Sequence, residues 1–234
     1  MIGVTKLIST NSKLDKDGAY KLVGIQLMAG SKKVCRWAGD CAKLCIKTSF
    51  LLKQKKAAKA QKKRTSLYFN NKKAFFAILK GEIVRAVLEA YEENKLGLRV
   101  RPNVLSDIPE LHLEVVMLCN EIERELGLHG FIEVYDYTKN PRNQYENFTY
   151  SYNEKTTEED FAWNIKRRNI AVVFDTKRGK ELPKTFKGFP VIDGDVSDDR
   201  LSDPKQKGLI IGLRAKADAR KADSKFIVKT KGMH

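Results

Sequence analysis

The stretch "TEEDFAWNIKRRNIAVVF", residues 157–174, indicates the fold class because a helix-forming segment runs directly into a short apolar strand. Thr157 followed three residues later by Asp160 is a typical N-cap arrangement and predicts where the helix begins. The run "NIAVVF" then predicts a strand over 169–174. Helices that alternate with short apolar strands are typical of α/β proteins with a parallel sheet.

The same alternation extends outward from this stretch in both directions. Further strands are predicted at 19–30, 98–107, 131–140, 147–154, 189–193 and 208–216, and further helices at 49–69, 72–93 and 110–128. The helix at 72–93 is predicted to present one apolar face made of Phe75, Phe76, Leu79, Ile83, Val87, Leu88 and Tyr91. The connection 141–147 is too short for a full helix, so the alternation is imperfect.

These elements predict a single α/β domain over residues 1–234, built as an irregular or partial (β/α) barrel. Its parts would be a first-strand region (1–34), a cysteine loop with basic helices (35–97) and the barrel core (98–234). The chain starts with no apolar run long enough for a signal peptide, and no window approaches the roughly 18 apolar residues of a membrane helix. We therefore expect a cytosolic protein without a membrane partner.

Positive charge is concentrated in blocks of the sequence. The formal net charge is +16, and residues 41–81 carry twelve Lys or Arg and no acidic residue. Blocks of one sign favour a polyanionic partner, of which nucleic acid is the commonest, although a solubilising surface is the alternative. Lysine outnumbers arginine in this block, which favours contact with phosphates over reading of bases.

The helix-forming segment at 49–69 supplies the candidate nucleic-acid contacts. Side chains that could line the phosphates of a strand are Lys53, Lys55, Lys56, Lys59, Lys62, Lys63 and Arg64. Tyr68 follows and could stack on a base, as aromatic residues do in proteins that bind single strands. For the adjacent Phe69, ordinary core packing is favoured.

Three cysteines form a cluster with the spacing C-x5-C-x3-C, at Cys35, Cys41 and Cys45. Gly39 permits a tight reversal between the first two, and a helical turn after Cys41 would bring Cys45 to the same side, so the thiolates could converge. Zinc, an iron–sulfur cluster and unmetallated thiols all remain open on spacing alone. Cys119 could be a fourth ligand, but its place on an apolar helix face favours simple space filling.

Polar residues gather at the carboxyl ends of the predicted strands, where parallel α/β proteins bind ligands. The predicted barrel-mouth ligand site contains Asn103, Asp107, Lys139, Asn153, Glu154, Asp193, Asp195, Arg214 and Lys216. In this site Lys139 and Arg214 would bind an anionic group, and the carboxylates would orient a ribose or an amine. Asp193 and Asp195 also suggest a hard cation, although two carboxylates are a weak signal for one.

Segments spread over residues 35–228 resemble a family of bacteriophage proteins with a clustered-cysteine motif. They include "CRWAGDCAKLCIKTS", "LRVRPNVLSDIPE", "VYDYTKNP", "LPKTFKGFPVIDGDVSDDRLSDP" and "GLIIGLRAKADARKADSKFIV". The resemblance implies a phage origin, a place in the host cytoplasm and a barrel laid out like that of radical S-adenosylmethionine enzymes. It also favours an iron–sulfur cluster on the three cysteines, of the 4Fe–4S type. The chain departs from those enzymes in its cysteine spacing, since they typically carry C-x3-C-x2-C, and in lacking a glycine-rich turn after "LRVRPNVLSD".

Two functions follow as hypotheses. In the first, an iron–sulfur, basic phage protein binds nucleic acid, with single-stranded DNA favoured, as an accessory factor in replication or transcription. A phage polymerase or replication protein would then be a candidate partner. In the second, a radical S-adenosylmethionine-like enzyme acts on a nucleic acid or nucleotide. The sequence leaves open whether the protein is an enzyme.

Overall fold

The computed structural model describes residues 6–9, 18–45, 54–216, 219, 222 and 224–231, which group into two compact units. The first unit comprises Met1–Met28 and Gln54–Asp136, and the second comprises Ala29–Lys53 and Tyr137–His234. The mixed α/β class predicted from the sequence is confirmed, with two sheets and four α-helices among the described residues. The irregular or partial barrel and the single domain stay predictions. No helix in the described ranges is long and apolar enough to cross a membrane.

The first unit packs three helices with a four-stranded mixed sheet. Its strands, in spatial order, are β1 (Ile8–Ser9), β2 (Tyr20–Ile25), β3 (Gly97–Arg101) and β4 (Ile132–Val134). Its helices are α1 (Lys55–Asn70), α2 (Lys72–Glu92) and α3 (Pro109–Leu126). β1 runs antiparallel to β2, whereas β2, β3 and β4 are parallel, as expected when helices connect successive strands.

Helix α2 provides much of this unit's core, through the buried side chains Phe75, Leu79, Ile83, Ala86, Val87 and Ala90. The apolar face predicted for this helix is wrong for two residues, because Leu88 is 53% exposed and Tyr91 is 70% exposed. At about 100° per residue, Leu88 falls on the side opposite the buried stripe, and Tyr91 lies beyond its edge. Apolar type alone therefore did not identify the buried face.

Among its described residues, the second unit contains a six-stranded sheet and one α-helix. Its strands, in spatial order, are β5 (Asp136–Thr138), β6 (Phe148–Ser151), β7 (Ile170–Phe174), β10 (Ile210–Arg214), β9 (Phe189–Asp193) and β8 (Thr185–Phe186). The run β6–β7–β10–β9 is parallel throughout, and β8 pairs antiparallel with β9 at the edge. Because parallel strands end at the same side, their carboxyl ends meet along one edge of this sheet, called here the carboxyl edge.

Helix α4 (Glu158–Ile165) begins where the sequence predicts, with a reciprocal capping box. The Asp160 amide donates to Thr157 Oγ1 over 3.0 Å, and the Thr157 amide donates to Asp160 Oδ2 over 3.3 Å. These bonds satisfy two amide groups that the first helical turn would otherwise leave without a partner. The helix packs Phe161 and Ile165 onto a core that includes Val172 of β7.

Candidate functional site

Five lysines of α1 form one exposed stripe, called here the lysine face: Lys55, Lys56, Lys59, Lys62 and Lys63. At about 100° per residue they occupy an arc of about 120°, and they extend about 12 Å along the helix axis. The buried side chains Gln61 and Tyr68 lie on the opposite side. All five lysines are exposed, and within the described ranges none of them forms an ion pair. The stripe is thus uncompensated positive charge.

The N-terminal end of α1 adds to this charge. The first turn contains no acidic residue, and the N-cap Gln54 makes no side-chain capping bond. Lysines in a first turn repel the partial positive charge that aligned peptide dipoles place there. This arrangement is unfavourable for the isolated helix, and an anion bound near the lysine face would relieve it.

Arg64, another predicted contact on α1, faces inward. Arg64 is half-buried, its Nε donates to the Lys6 carbonyl over 2.7 Å, and burial lowers the pKa of its guanidinium. Arg64 therefore anchors the helix to the chain at residue 6 and leaves phosphate contact to the lysines. Lys53, which was predicted with them, lies outside the described residues.

The prediction that Tyr68 stacks on a base is wrong, because only 1% of this residue is exposed. Its hydroxyl donates to Glu114 Oε2 over 2.9 Å, and burial together with Glu114 raises the pKa of Tyr68. The ring packs edge-on against Phe69 and Phe75, with centroids 5.0 and 5.3 Å away. Tyr68 and Phe69 thus belong to the packing between helices.

At the carboxyl edge of the second unit, four of the predicted ligand residues lie together. Arg214 Nη1 donates to both Asp193 oxygens over 2.8 Å, and Lys216 Nζ is 2.6 Å from Asp195 Oδ1. The turn between the two aspartates requires Gly194, because a Cβ there would lie 2.4 Å from Ile211 Cγ2. Charge at this point is nearly balanced, since two cations face two carboxylates.

Arg214 acts as a clamp between two loops. Besides Asp193, its Nε and Nη2 donate to the Lys180 carbonyl over 3.1 and 2.7 Å, so the guanidinium has protein partners on all sides. Next to the clamp lies an open pocket of about 570 Å³, with Leu182, Pro183 and Val191 among its apolar lining. An anion bound by Arg214, as predicted, would therefore compete with Asp193, Asp195 and the Lys180 carbonyl.

The cysteine segment is held against the same edge by Glu154, which follows β6. The Asp40 amide donates to Glu154 Oε1 over 2.8 Å, and Ser224 Oγ donates to Asp40 Oδ2 over 2.7 Å. The carboxylate lies so near the turn that a Cβ on Gly39 would be 1.5 Å from Glu154 Oε1. Glu154, predicted as a ligand residue, thus fastens the turn that precedes Cys41.

The three clustered cysteines are half-buried, and Cys41 packs with Leu44 against an apolar cluster that contains Phe226 and Ile227. Within the described ranges, no three His, Cys, Asp or Glu side chains are placed to hold a metal ion together. The structure as it stands therefore does not bring the three thiols to one point. The iron–sulfur cluster, its zinc alternative and S-adenosylmethionine stay predictions from the sequence.

Cys119, considered as a fourth ligand, is buried in α3 with 1% exposure. Burial, with a smaller effect of Glu123, raises the pKa of its thiol to about 12, so the side chain is protonated at neutral pH. A protonated thiol is a poor metal ligand and behaves as a small apolar group. This agrees with the space-filling role favoured from the sequence.

The remaining predicted ligand residues are Asn103, Asp107, Lys139 and Asn153. Asn103, in the first unit, is buried, and its Nδ2 donates to Asp136 Oδ2 over 2.7 Å and to the Ile108 carbonyl over 3.1 Å. Asn153 closes the turn after β6, accepting from the Lys155 amide over 2.9 Å. Asp107 is buried in the first unit, and Lys139 is half-buried after β5. The predicted site is therefore divided between the two units.

A group that the sequence interpretation missed surrounds Trp163 of α4. The guanidinium carbons of Arg167, Arg168 and Arg142 lie 4.3, 5.6 and 5.7 Å from the centre of the Trp163 ring. These four residues are called here the Trp163 cluster. The run "KRR" at 166–168 begins three residues after the tryptophan and pointed to part of the cluster, because residues three and four apart in a helix lie near each other. Arg142 comes from another segment and could not be inferred.

Among known proteins, the chain matches the family model described as Gene product 88 over residues 3–230. This range contains the lysine face, the cysteine segment, the carboxyl edge and the Trp163 cluster. Neither a curated protein nor a solved structure matches the chain.

Proposed function

Because the chain belongs to the Gene product 88 family, a family of bacteriophage gene products, we propose that it binds nucleic acid through the lysine face of α1. The observation that supports this function is the stripe of five exposed lysines without ion-pair partners among the described residues. Family membership supplies the setting, since replicating and transcribing a phage genome provides abundant polyanion. An accessory role in one of those processes fits a protein of this charge.

The chemistry of the lysine face suits phosphates. An ammonium group is a compact point charge that contacts a phosphate without demanding one geometry. Side chains that typically read base edges in pairs of hydrogen bonds, such as Gln61 and Arg64, point away from the face or are engaged elsewhere. We therefore expect binding that depends little on base sequence.

The lysine face alone gives no preference for single-stranded over double-stranded nucleic acid, because both present phosphates. Tyr68 is buried, so the base-stacking partner predicted on α1 is not available. The preference for a single strand is instead supported by the Trp163 cluster, which offers an aromatic ring beside cations.

Charge reversal tests the proposal. We expect K55E/K56E/K62E/K63E to weaken binding of a labelled 20-nucleotide DNA about 100-fold or more, because phosphate contacts provide most of the affinity in non-specific binding. The matched control, K177E/K184E/K205E/K207E, changes the net charge equally but at exposed lysines of the second unit. Fluorescence anisotropy at one fixed salt concentration measures both affinities, and circular dichroism checks that both variants are folded.

The two variants separate the face from the net charge. A loss confined to the α1 variant supports the proposal. Equal losses would mean that overall charge, rather than this face, attracts the nucleic acid. Unchanged binding by the α1 variant would refute the proposal.

A further inference from the structure

The Trp163 cluster concentrates positive charge around one half-buried aromatic ring. All three guanidinium groups lie within about 6 Å of the ring centre, the distance range over which an aromatic ring attracts a cation. Arg142 is balanced by Glu159 and Asp160, at 2.8 and 3.3 Å. Arg167 is exposed and donates from Nη1 to the Trp163 carbonyl over 3.2 Å.

Arg168 is the feature that ordinary packing explains least. It is 8% exposed, and its Nη2 donates to the Asn143 carbonyl over 2.7 Å. Its Nη1 is buried without a hydrogen-bond partner, and no carboxylate of the described residues forms an ion pair with it. Burial, and then the charge of Arg167, lowers the pKa of Arg168. A buried cation without a counter-charge is costly, and an anion beside it would offset that cost.

The position of these residues at the end of α4 gives a simpler partial explanation. Cations near a helix C-terminus are favourable, and both Arg167 and Arg168 donate their amides to the Asn164 carbonyl. That interaction accounts for positive charge at this end of the helix. It does not explain why the Arg168 guanidinium is buried beside an aromatic ring without a carboxylate. At the surface, water would have solvated this cation without the cost of burial.

We propose that the Trp163 cluster binds one nucleotide unit of a single strand, with the Trp163 ring stacking on the base and Arg167 and Arg168 holding the adjacent phosphate. The inference rests on the proposed function only in taking the same class of partner. Bases of a duplex are already stacked on one another, so a protein ring selects unpaired bases. The cluster would thus supply the single-strand preference that the lysine face lacks.

Intrinsic fluorescence makes the test specific. The chain has two tryptophans, so W37F leaves Trp163 as the only one. We expect fifteen-nucleotide poly-dT to quench the fluorescence of the full-length W37F protein, and a DNA duplex of equal length to quench it much less. W163F and R167A, made in the wild-type chain and followed by anisotropy, should each weaken single-strand binding several-fold, because W163F leaves a smaller ring for stacking and R167A removes a cation beside the phosphate.

Matched variants guard against trivial effects. R178A removes an exposed arginine of the same unit that does not contact Trp163, and its affinity should equal that of the wild type. R167A truncates an exposed side chain, so the test does not depend on W163F folding normally.

Failure of this inference is distinguishable from failure of the proposed function. Unchanged Trp163 fluorescence at saturation, with unchanged affinity of W163F and R167A, overturns the inference while the lysine-face result stands. Loss of binding in W163F but not in the lysine-face variant supports the inference and refutes the proposed function. Quenching by polyglutamate but not by poly-dT would overturn the inference in favour of an acidic protein, and equal quenching by the duplex would overturn the single-strand claim.

Discussion

At the scale of single residues, the contact between Gly39 and Glu154 decides where the cysteine segment lies. The Glu154 carboxylate accepts the Asp40 amide over 2.8 Å and occupies the space that a side chain at position 39 would need. The close approach of the Glu154 carboxylate therefore requires a glycine at position 39, whether or not the cysteines bind a metal. The contact also gives a ligand-like carboxylate a structural role.

We expect G39A to lower the free energy of unfolding by about 1–3 kcal/mol, because overpacking forces neighbouring groups to shift. The added Cβ would lie 1.5 Å from Glu154 Oε1, so the segment must move away from the edge. Urea unfolding measures the loss, and faster labelling of Cys41 by a maleimide would report the displacement.

Gly81 offers the matched control, since a Cβ there meets nothing within 4 Å in the middle of α2. G81A should be neutral or stabilising by about 0.5–1 kcal/mol. Stability of G39A equal to that of the wild type, with unchanged labelling of Cys41, would contradict the described approach of Glu154.

At the scale of elements, α1 separates its two tasks by face. Tyr68 and Arg64 anchor the inner side of the helix, and the exposed side carries the five lysines. Because the two sides are opposite, charge can be altered on one without removing contacts from the other. The helix can therefore be tested as a binding element while its packing stays intact.

The salt dependence of binding should reflect this stripe. If all five lysines neutralise phosphates, log affinity should fall against log salt concentration with a slope of about −3.5 for single strands and about −4.5 for duplexes. The K55E/K56E/K62E/K63E variant should flatten the slope to less than half of these values. Anisotropy titrations between 50 and 300 mM salt measure it, and a slope unchanged in the variant would place the phosphate contacts elsewhere.

Local signals were enough to predict most elements. The capping pair Thr157 and Asp160 located α4, and apolar runs located β7, β9 and β10. Two-residue strands such as β1 and β8 were not predicted, because so short a segment has no periodicity and forms only through its partner strand. Propensity and periodicity are properties of neighbouring residues, so they succeed where neighbours determine the structure.

The site was predicted less well because its contacts join distant residues. Asp40 and Glu154 are 114 residues apart, and Tyr68 and Glu114 are 46 apart. A tyrosine after a lysine-rich helix can equally stack on a base or fill a core, and only the folded neighbours decide which. For the same reason, the sequence did not predict that Arg142 belongs to the Trp163 cluster, because the two residues are brought together only by folding.

At the scale of the whole molecule, stability should depend on pH through a buried ion pair in the second unit. Arg200 Nη1 lies 3.6 Å from Asp203 Oδ1, and both side chains are 6% exposed. Burial outweighs the attraction of Arg200 and raises the pKa of Asp203 to about 6. A folded pKa above the unfolded value means that the native state holds the proton more tightly.

This difference in pKa determines whether the free energy of unfolding rises or falls with pH. The contribution of Asp203 to stability is complete below about pH 4, the unfolded pKa, and is lost as pH rises through about 6. The free energy of unfolding of the wild type minus that of D203N should therefore fall by about 1–2 kcal/mol between pH 4 and 7, after allowance for solvent screening. Urea unfolding at several pH values measures it. A difference independent of pH would show that Asp203 is ionised throughout.

The hydrogen bonds that fix the turn before Cys41 form only after the cysteine segment has been synthesised. Asp40 bonds to Glu154 and to Ser224, which is 184 residues further along the chain. At a synthesis rate of 5–20 residues per second, a ribosome needs about 10–40 s to reach that serine. Glu154 is synthesised earlier than Ser224, and until both anchors are made the nascent thiols are exposed to the surrounding oxidants, metal ions and chaperones without a fully fixed turn. The first oxidant or metal ion that reacts with these thiols therefore reaches them during translation, before the turn is fixed.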